Sequence, residues 1–186
     1  RNSRHLEIAA LRVDGTAAVR SVPYDCDQVT FVSGGRYVAV SSADHREVRV
    51  YEVASGKVVA TLPGAHRIAG AADRPLLVTA TAVGFDWFDP ETREHESSSY
   101  SMSEPAVLTI TDGGERLLLG FDHGAILEFP IRRGTVEKFQ SGTIGGVTAL
   151  AGSRVGRVTA YGTADGFVGV RVGEGGPRLV ARHASG

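Results

Sequence analysis

The stretch that decides the fold runs from Val29 to Leu62: V-T-F-V-S-G-G-R-Y-V-A-V-S-S-A-D-H-R-E-V-R-V-Y-E-V-A-S-G-K-V-V-A-T-L. It holds four short apolar runs, Val29 to Val32, Tyr37 to Val40, Val48 to Val53 and Val58 to Leu62. Between them stand Ser33-Gly34-Gly35, Ser42-Ala43-Asp44-His45 and Ala54-Ser55-Gly56, all residue types that reverse a chain cheaply. Runs this short, rich in Val and Tyr and bounded by Gly, Ser and Asp, read as strands. Four of them in sequence make an antiparallel meander.

Outward from this stretch the same text returns. The second unit has strands at Leu76 to Ala82 and Phe85 to Phe88, then a polar, serine-rich outer strand with a loop from Arg93 to Tyr100. The third has strands at Val107 to Ile110, Arg116 to Phe121, Ala125 to Ile131 and Val136 to Phe139. The fourth has Val147 to Ala151, Arg157 to Tyr161, Phe167 to Val172 and Arg178 to Ala181. Before the reference stretch, Leu6 to Val13 and Ala17 to Val22 supply two strands around an Asp14-Gly15 turn. The organisation expected is a half unit at 1–28, then units 29–67, 68–105, 106–146 and 147–186. No apolar run keeps a helical period, so the expectation is an all-β chain, with at most one helical turn near Glu91 to Tyr100.

A step of ~40 residues with four strands per unit is the sequence signature of propeller blades. One small sheet cannot bury both of its faces, and sheets stacked radially bury each other's. The reading is therefore about four and a half β-propeller blades of four antiparallel strands, as one partial domain over 1–186. The leading half unit and the absence of an initiator Met lead to the expectation of a piece of a longer propeller, of seven or eight blades. Its missing strands would come from upstream residues or a second chain, with self-association as the other outcome.

Specific residues resemble WD40-type propellers over most of the chain. Tyr51-Glu52-Val53-Ala54-Ser55-Gly56-Lys57 is similar to the family's Trp-Asp end of the third strand and the turn after it. Phe88-Asp89-Pro90-Glu91-Thr92 resembles the same element with Phe for Trp, and Leu11 to Thr16 fits the slot one repeat earlier. Asp44, Asp122 and Asp165 match the family's turn Asp, with Tyr51, Phe129 and Val172 at one constant spacing after them. The second unit has Val83-Gly84 there and no Asp, and no unit carries the Trp-Asp dipeptide itself. Gly64-Ala65-His66 resembles the family's Gly-His with a residue inserted. The resemblance implies that the three Asp are structural turn residues, and that Tyr51, Phe88 and Phe129 fill equivalent buried positions.

Composition narrows the function. The chain has 186 residues, a net charge of −1 and 22% charged residues, an ordinary surface with no basic excess for nucleic acid. No run approaches the length of a membrane-spanning helix, and no apolar signal core follows the start. Cys26 is the single cysteine, so no intrachain disulfide forms, which fits a reducing, cytoplasmic setting. Acidic Asp25 and Asp27 beside it raise rather than lower a thiol's pKa, against a nucleophile. Lys57 and Lys138 are the only lysines; with abundant Arg, Ala, Gly and Val this is the composition of a GC-rich bacterial gene.

Each remaining candidate carries two readings. The Asp of the turns form a carboxylate ring for a cation, or fix the turns through their own hydrogen bonds. Asp44-His45 and Asp122-His123 lie a whole unit apart from one another, too far to share a metal. His66 is a pH-sensitive contact or a junction hydrogen bond. Phe85 and Trp87 share one face of their strand and Phe88 the other; Trp87 is a packing residue or, if exposed, a binding hot spot. His45, His66, Trp87 and His123 are thus the candidates for contact with a partner. No phosphate loop, nucleophile elbow, Cys-x-x-Cys or His-Glu-x-x-His occurs. No cofactor or metal is expected. The function expected is a non-catalytic protein-interaction module; the alternative is a propeller hydrolase acting on lactones or glycans at a central channel.

Overall fold

A computed structural model describes residues 6–11, 17–22, 25–65, 67–81, 83–99, 103–131, 137–140, 142, 145–154 and 157–182. The described residues are nearly all-β, strands joined by turns and loops with one three-residue 3-10 turn. β1 (Leu6–Leu11) and β2 (Ala17–Val22) form a two-stranded sheet. β3 (Cys26–Val32), β4 (Tyr37–Ser42), β5 (Glu47–Glu52) and β6 (Val58–Pro63) form a four-stranded antiparallel sheet in chain order. β7 (Arg67–Gly70), β8 (Leu77–Ala80), β9 (Gly84–Phe88) and β10 (His95–Ser99) form the next. β11 (Val107–Thr111), β12 (Arg116–Gly120), β13 (Ala125–Pro130) and β14 (Glu137–Gln140) form the third. β15 (Val147–Gly152), β16 (Val158–Thr163), β17 (Phe167–Val172) and β18 (Arg178–Arg182) form the fourth. Four meander sheets and a leading pair of strands are what the repeat predicts.

Boundaries shift where local geometry overrides composition. β3 starts at Cys26, three residues ahead of Val29, because a bulge between Cys26 and Gln28 carries the pairing past the apolar run. The expected helical turn at Glu91 to Tyr100 is not where helix forms. Residues 90–92 make a turn and β10 follows, exposed at every position. A single 3-10 turn lies instead at Asp112–Gly114, where Gly113 takes a φ of 61°. The Asp14-Gly15 turn, Arg132-Arg133-Gly134, Tyr100 and His66 lie outside the described residues. Among the described residues no helix is long and apolar enough to cross a membrane.

By compactness the chain forms two units, Arg1–Thr79 with Trp87–Glu96, and Ala80–Asp86 with Ser97–Gly186. In the first, β4 is buried at all six positions, which is why Tyr37 to Val40 reads as an unbroken apolar run. Its core joins Val32, Tyr37, Ala39, Val48 and Val50 to Ile68, Leu77 and Phe88, so one face of the β3–β6 sheet is covered by residues of β7, β8 and β9. A smaller cluster of Val38, Val40 and Tyr51, with Cys26 and Val53 against it, fills the opposite face. The first strands of the two sheets are tied as well: the Gly70 N–H donates to Thr30 Oγ1 at 3.0 Å and the Ile68 N–H to Gln28 Oε1 at 3.1 Å.

The second unit repeats this construction. Ile126 packs with Val147 and Tyr161, joining the β11–β14 sheet to the β15–β18 sheet. The Val147 N–H donates to the Phe121 carbonyl at 2.9 Å, and Thr111 Oγ1 donates to the Ser153 carbonyl at 2.6 Å. In both units, then, each sheet hides one face behind the next and anchors its first strand to its neighbour's.

Candidate functional site

Three turns between second and third strands are built alike. They span Ser42–His45, Phe121–Gly124 and Thr163–Gly166, each closed by the fourth residue's N–H on the first residue's carbonyl, at 2.9, 3.1 and 3.0 Å. The fourth residue is left-handed in all three: His45 at φ 55°, Gly124 at 80° and Gly166 at 83°. A turn followed by one left-handed residue is a standard hairpin closure, which favours Gly there. His45 occupies a glycine's position.

The Asp residues serve these turns. Asp44 Oδ1 accepts from the Arg46 N–H at 3.3 Å, and its carboxylate also meets Arg46 Nε at 3.3 Å. Its pKa sits below the ordinary carboxylate value, chiefly through a hydrogen bond with the Ser42 side chain. Asp165 Oδ1 accepts from Thr163 Oγ1, and Gly145 lets the backbone pass so close that a methyl there would meet that oxygen at 2.2 Å. Asp122 Oδ1 lies 3.2 Å from His123 Nδ1. Among the described residues no three His, Cys, Asp or Glu side chains converge as ligands of a metal would.

The other candidates are dispersed. His45 is half-buried, with Nδ1 3.6 Å from Asp27 Oδ2. His123 is exposed, its ring tilted over buried Phe121 at 5.5 Å. Trp87 is half-buried beside buried Phe88, while Phe85 packs edge-on against Phe129 with centroids 5.0 Å apart. Cys26 is half-buried against the Val38, Val40 and Tyr51 cluster.

The constant spacing from Asp to Tyr51, Phe129 and Val172 does not mark one structural position. Tyr51 pairs with Val38, the second residue of β4, and Phe129 with Leu117, the second residue of β12. The residue paired with Thr159, second in β16, is Arg171, and Val172 is exposed. The physical cause is turn length: Phe167 follows Gly166 directly, whereas Arg46 intervenes between His45 and the start of β5. Asp122 also stands one place earlier in its turn than Asp44 and Asp165 do. Phe129 departs too, being half-buried where Tyr51 and Phe88 are buried.

Arg171 leads to a cluster that sequence reasoning missed. Glu128, on β13, is buried. Its Oε2 accepts from Arg171 at 2.8 Å, its Oε1 pairs with Arg116 Nε, and Arg157 lies 3.8 Å away. Arg157 lies equally far, 3.8 Å, from Glu174 in the β17–β18 turn. Side-chain exposure rises through the cluster, from 8% at Arg171 to 15% at Arg116 and 36% at Arg157, and reaches 83% at Glu174. A buried carboxylate held by several guanidiniums is a strong, oriented ion network that opens to solvent at one end.

No family model matches the chain, and no curated protein matches it.

Proposed function

We propose that the chain is a protein-interaction module of WD40-like propeller type, working in the cytoplasm of a bacterium. The observation that carries this reading is the repeat itself. Four meander sheets share one strand order, and within each unit a face of one sheet packs on the next. A scaffold of this kind presents many loops on rigid strands, which suits it to holding another protein. Asp44 and Asp165 bond within their own turns, and the buried ion pair of Glu128 with Arg171 joins two sheets. Sites of contact would lie among exposed residues such as His123, and the partner would be a protein or another domain of the same parent chain.

Affinity capture with the tagged chain from its native host, followed by reconstitution with the purified candidate, tests the reading. A saturable one-to-one complex is the expected result. Turnover of a lactone or glycan by the purified chain, with no such complex, would replace the module with the hydrolase alternative.

A further inference from the structure

We propose that the face of the β15–β18 sheet carrying Ala160, Val168 and Val170 docks on the same face of a second copy of this chain, as a twofold dimer. The burial pattern separates the two sides of this sheet. Along β16 and β17, Thr159, Tyr161, Gly169 and Arg171 are buried, on the side where Tyr161 packs on Ile126 and Arg171 meets Glu128. The residues between them, Val158, Ala160, Val168, Val170 and Val172, lie on the other side, and none of them is buried. Val168 is 42% exposed and Val172 62%. Exposed Ala149 and Ala151 of β15 extend this face, paired with Gly162 and Ala160. The result is an open, contiguous apolar face, the kind of surface that marks an interaction site.

The first sheet shows what these residue types do when covered. There Ala39 pairs with Val50 and Ser41 with Val48, just as Ala160 pairs with Val170 and Gly162 with Val168. Ala39, Val48 and Val50 are at 0% exposure, in one cluster with Ile68, Leu77 and Phe88 of the next sheet. The same three residue types at the same three places are therefore suited to burial against a sheet.

The first strand says which kind of sheet. In the first sheet Gln28 Oε1 and Thr30 Oγ1 accept from the Ile68 and Gly70 N–H groups of the next sheet, at 3.1 and 3.0 Å. In the fourth sheet the matching places, opposite Gly162 and Ala160, hold Ala149 and Ala151. Neither side chain offers a facing strand an acceptor. Another sheet docked in the manner of β7–β10 would leave those N–H groups unpaired at the seam, a cost that a purely apolar face avoids. The same face of a second copy is such an occupant. Among its described strand residues the charge is Arg178, which pairs with Val170 from the outermost strand, so the centres of two copies meet without opposed like charges. Four strands about 4.8 Å apart, each about six residues long, give roughly 300 Å² per copy. That is small for a stable dimer, so the association is weak and concentration-dependent. A face packed on itself closes at two copies and does not propagate.

Sedimentation velocity of the full chain, from about 1 µM to about 1 mM, tests this. The expected result is a monomer–dimer equilibrium, half-assembled at about 100 µM and strengthened by sulfate, as apolar burial is. Val168→Lys puts a charge in the face at an exposed position and should weaken the dimer at least about tenfold; Ala151→Glu, on the first strand, should do the same. Phe31→Lys replaces an exposed apolar residue of the first sheet and should leave the dimer unchanged. Circular dichroism of each variant checks that the sheets are intact. A monomer over the whole range, growth past the dimer, loss of the dimer in Phe31→Lys, or an undisturbed dimer in folded Val168→Lys or Ala151→Glu would overturn the proposal.

Discussion

The two seams that join sheet to sheet occupy one position in the fold and are made of opposite materials. In the first unit Tyr37, Val50 and Phe88 close the seam by burial alone. In the second, Arg116 and Glu128 stand at the places of Tyr37 and Val50, and Arg171 meets them from the next sheet. The comparison teaches that sheet stacking here needs a filled, internally satisfied interface and is indifferent to how it is satisfied. It also separates two kinds of fragility. An apolar seam loses stability in proportion to volume removed. An ionic seam loses it when one charge is left without its counterpart.

The largest effects should come from breaking each seam at its centre. Phe88→Ala opens a cavity among Val50, Leu77 and Ile68 and should cost about 3–5 kcal/mol. Glu128→Ala leaves Arg116 and Arg171 buried beside each other with no carboxylate between them, and should cost about 3–5 kcal/mol as well. Denaturant melts of the two variants check this. A mild loss for Glu128→Ala would mean that water or another group already compensates the guanidiniums.

A sharper test converts one seam into the other. The triple replacement Arg116→Tyr, Glu128→Val and Arg171→Phe copies the first unit's residues into the second. It should be neutral or stabilising by about 1–4 kcal/mol, since no charge is then buried. Each single replacement should destabilise. If the triple variant is as unstable as the singles, the two positions are not equivalent after all.

The sequence made the sheets legible and hid the ionic seam, for one physical reason. Strands and turns are set by neighbours, so Tyr37 to Val40 and Ala125 to Pro130 announce themselves through β-branched and apolar runs between Gly, Ser and Asp. The contact of Glu128 with Arg171 joins residues 43 positions apart, and nothing local to either encodes it. The tripeptide around Arg171, Val-Arg-Val, also occurs at Val48-Arg49-Val50. There the arginine is half-buried and pairs with Glu47 on its own strand at 2.6 Å. The same letters thus serve a strand-local pair in one sheet and a cross-sheet bond in another. Constant spacing misled in the same way: counting from Asp165 reaches Val172, while the shorter turn moves the equivalent position to Arg171.

Phe129→Ala is a smaller test of the same alignment. Phe129 shares the strand position of Tyr51 but is half-buried, and its described ring contact is the edge-on one with Phe85. Its loss should cost about 1–2 kcal/mol, a partial rather than full core truncation. A loss as large as that of Phe88→Ala would mean that Phe129 bears core packing equal to that of its fully buried counterparts.

The smallest expected effect is alkaline and confined to the second unit. Tyr161 is buried between Ile126 and Val147, over Gly169, where an added methyl would meet its ring at 2.2 Å. Burial raises its pKa above the ordinary tyrosine value. The sign follows from proton counting. As pH rises through the ordinary value, near 10, an unfolded chain gives up the phenol proton while the native chain keeps it. The unfolded state then binds fewer protons, so stability falls with pH until the native phenol ionises too. Below the ordinary value both states keep the proton and Tyr161 contributes no slope. Melts across the alkaline range should therefore show a decline that is shallower in Tyr161→Phe, because phenylalanine has no proton to lose. A Tyr161→Phe variant that declines as steeply as the parent would move the alkaline weakness to another tyrosine, and with it the weak point of the second unit away from the Ile126–Val147 packing.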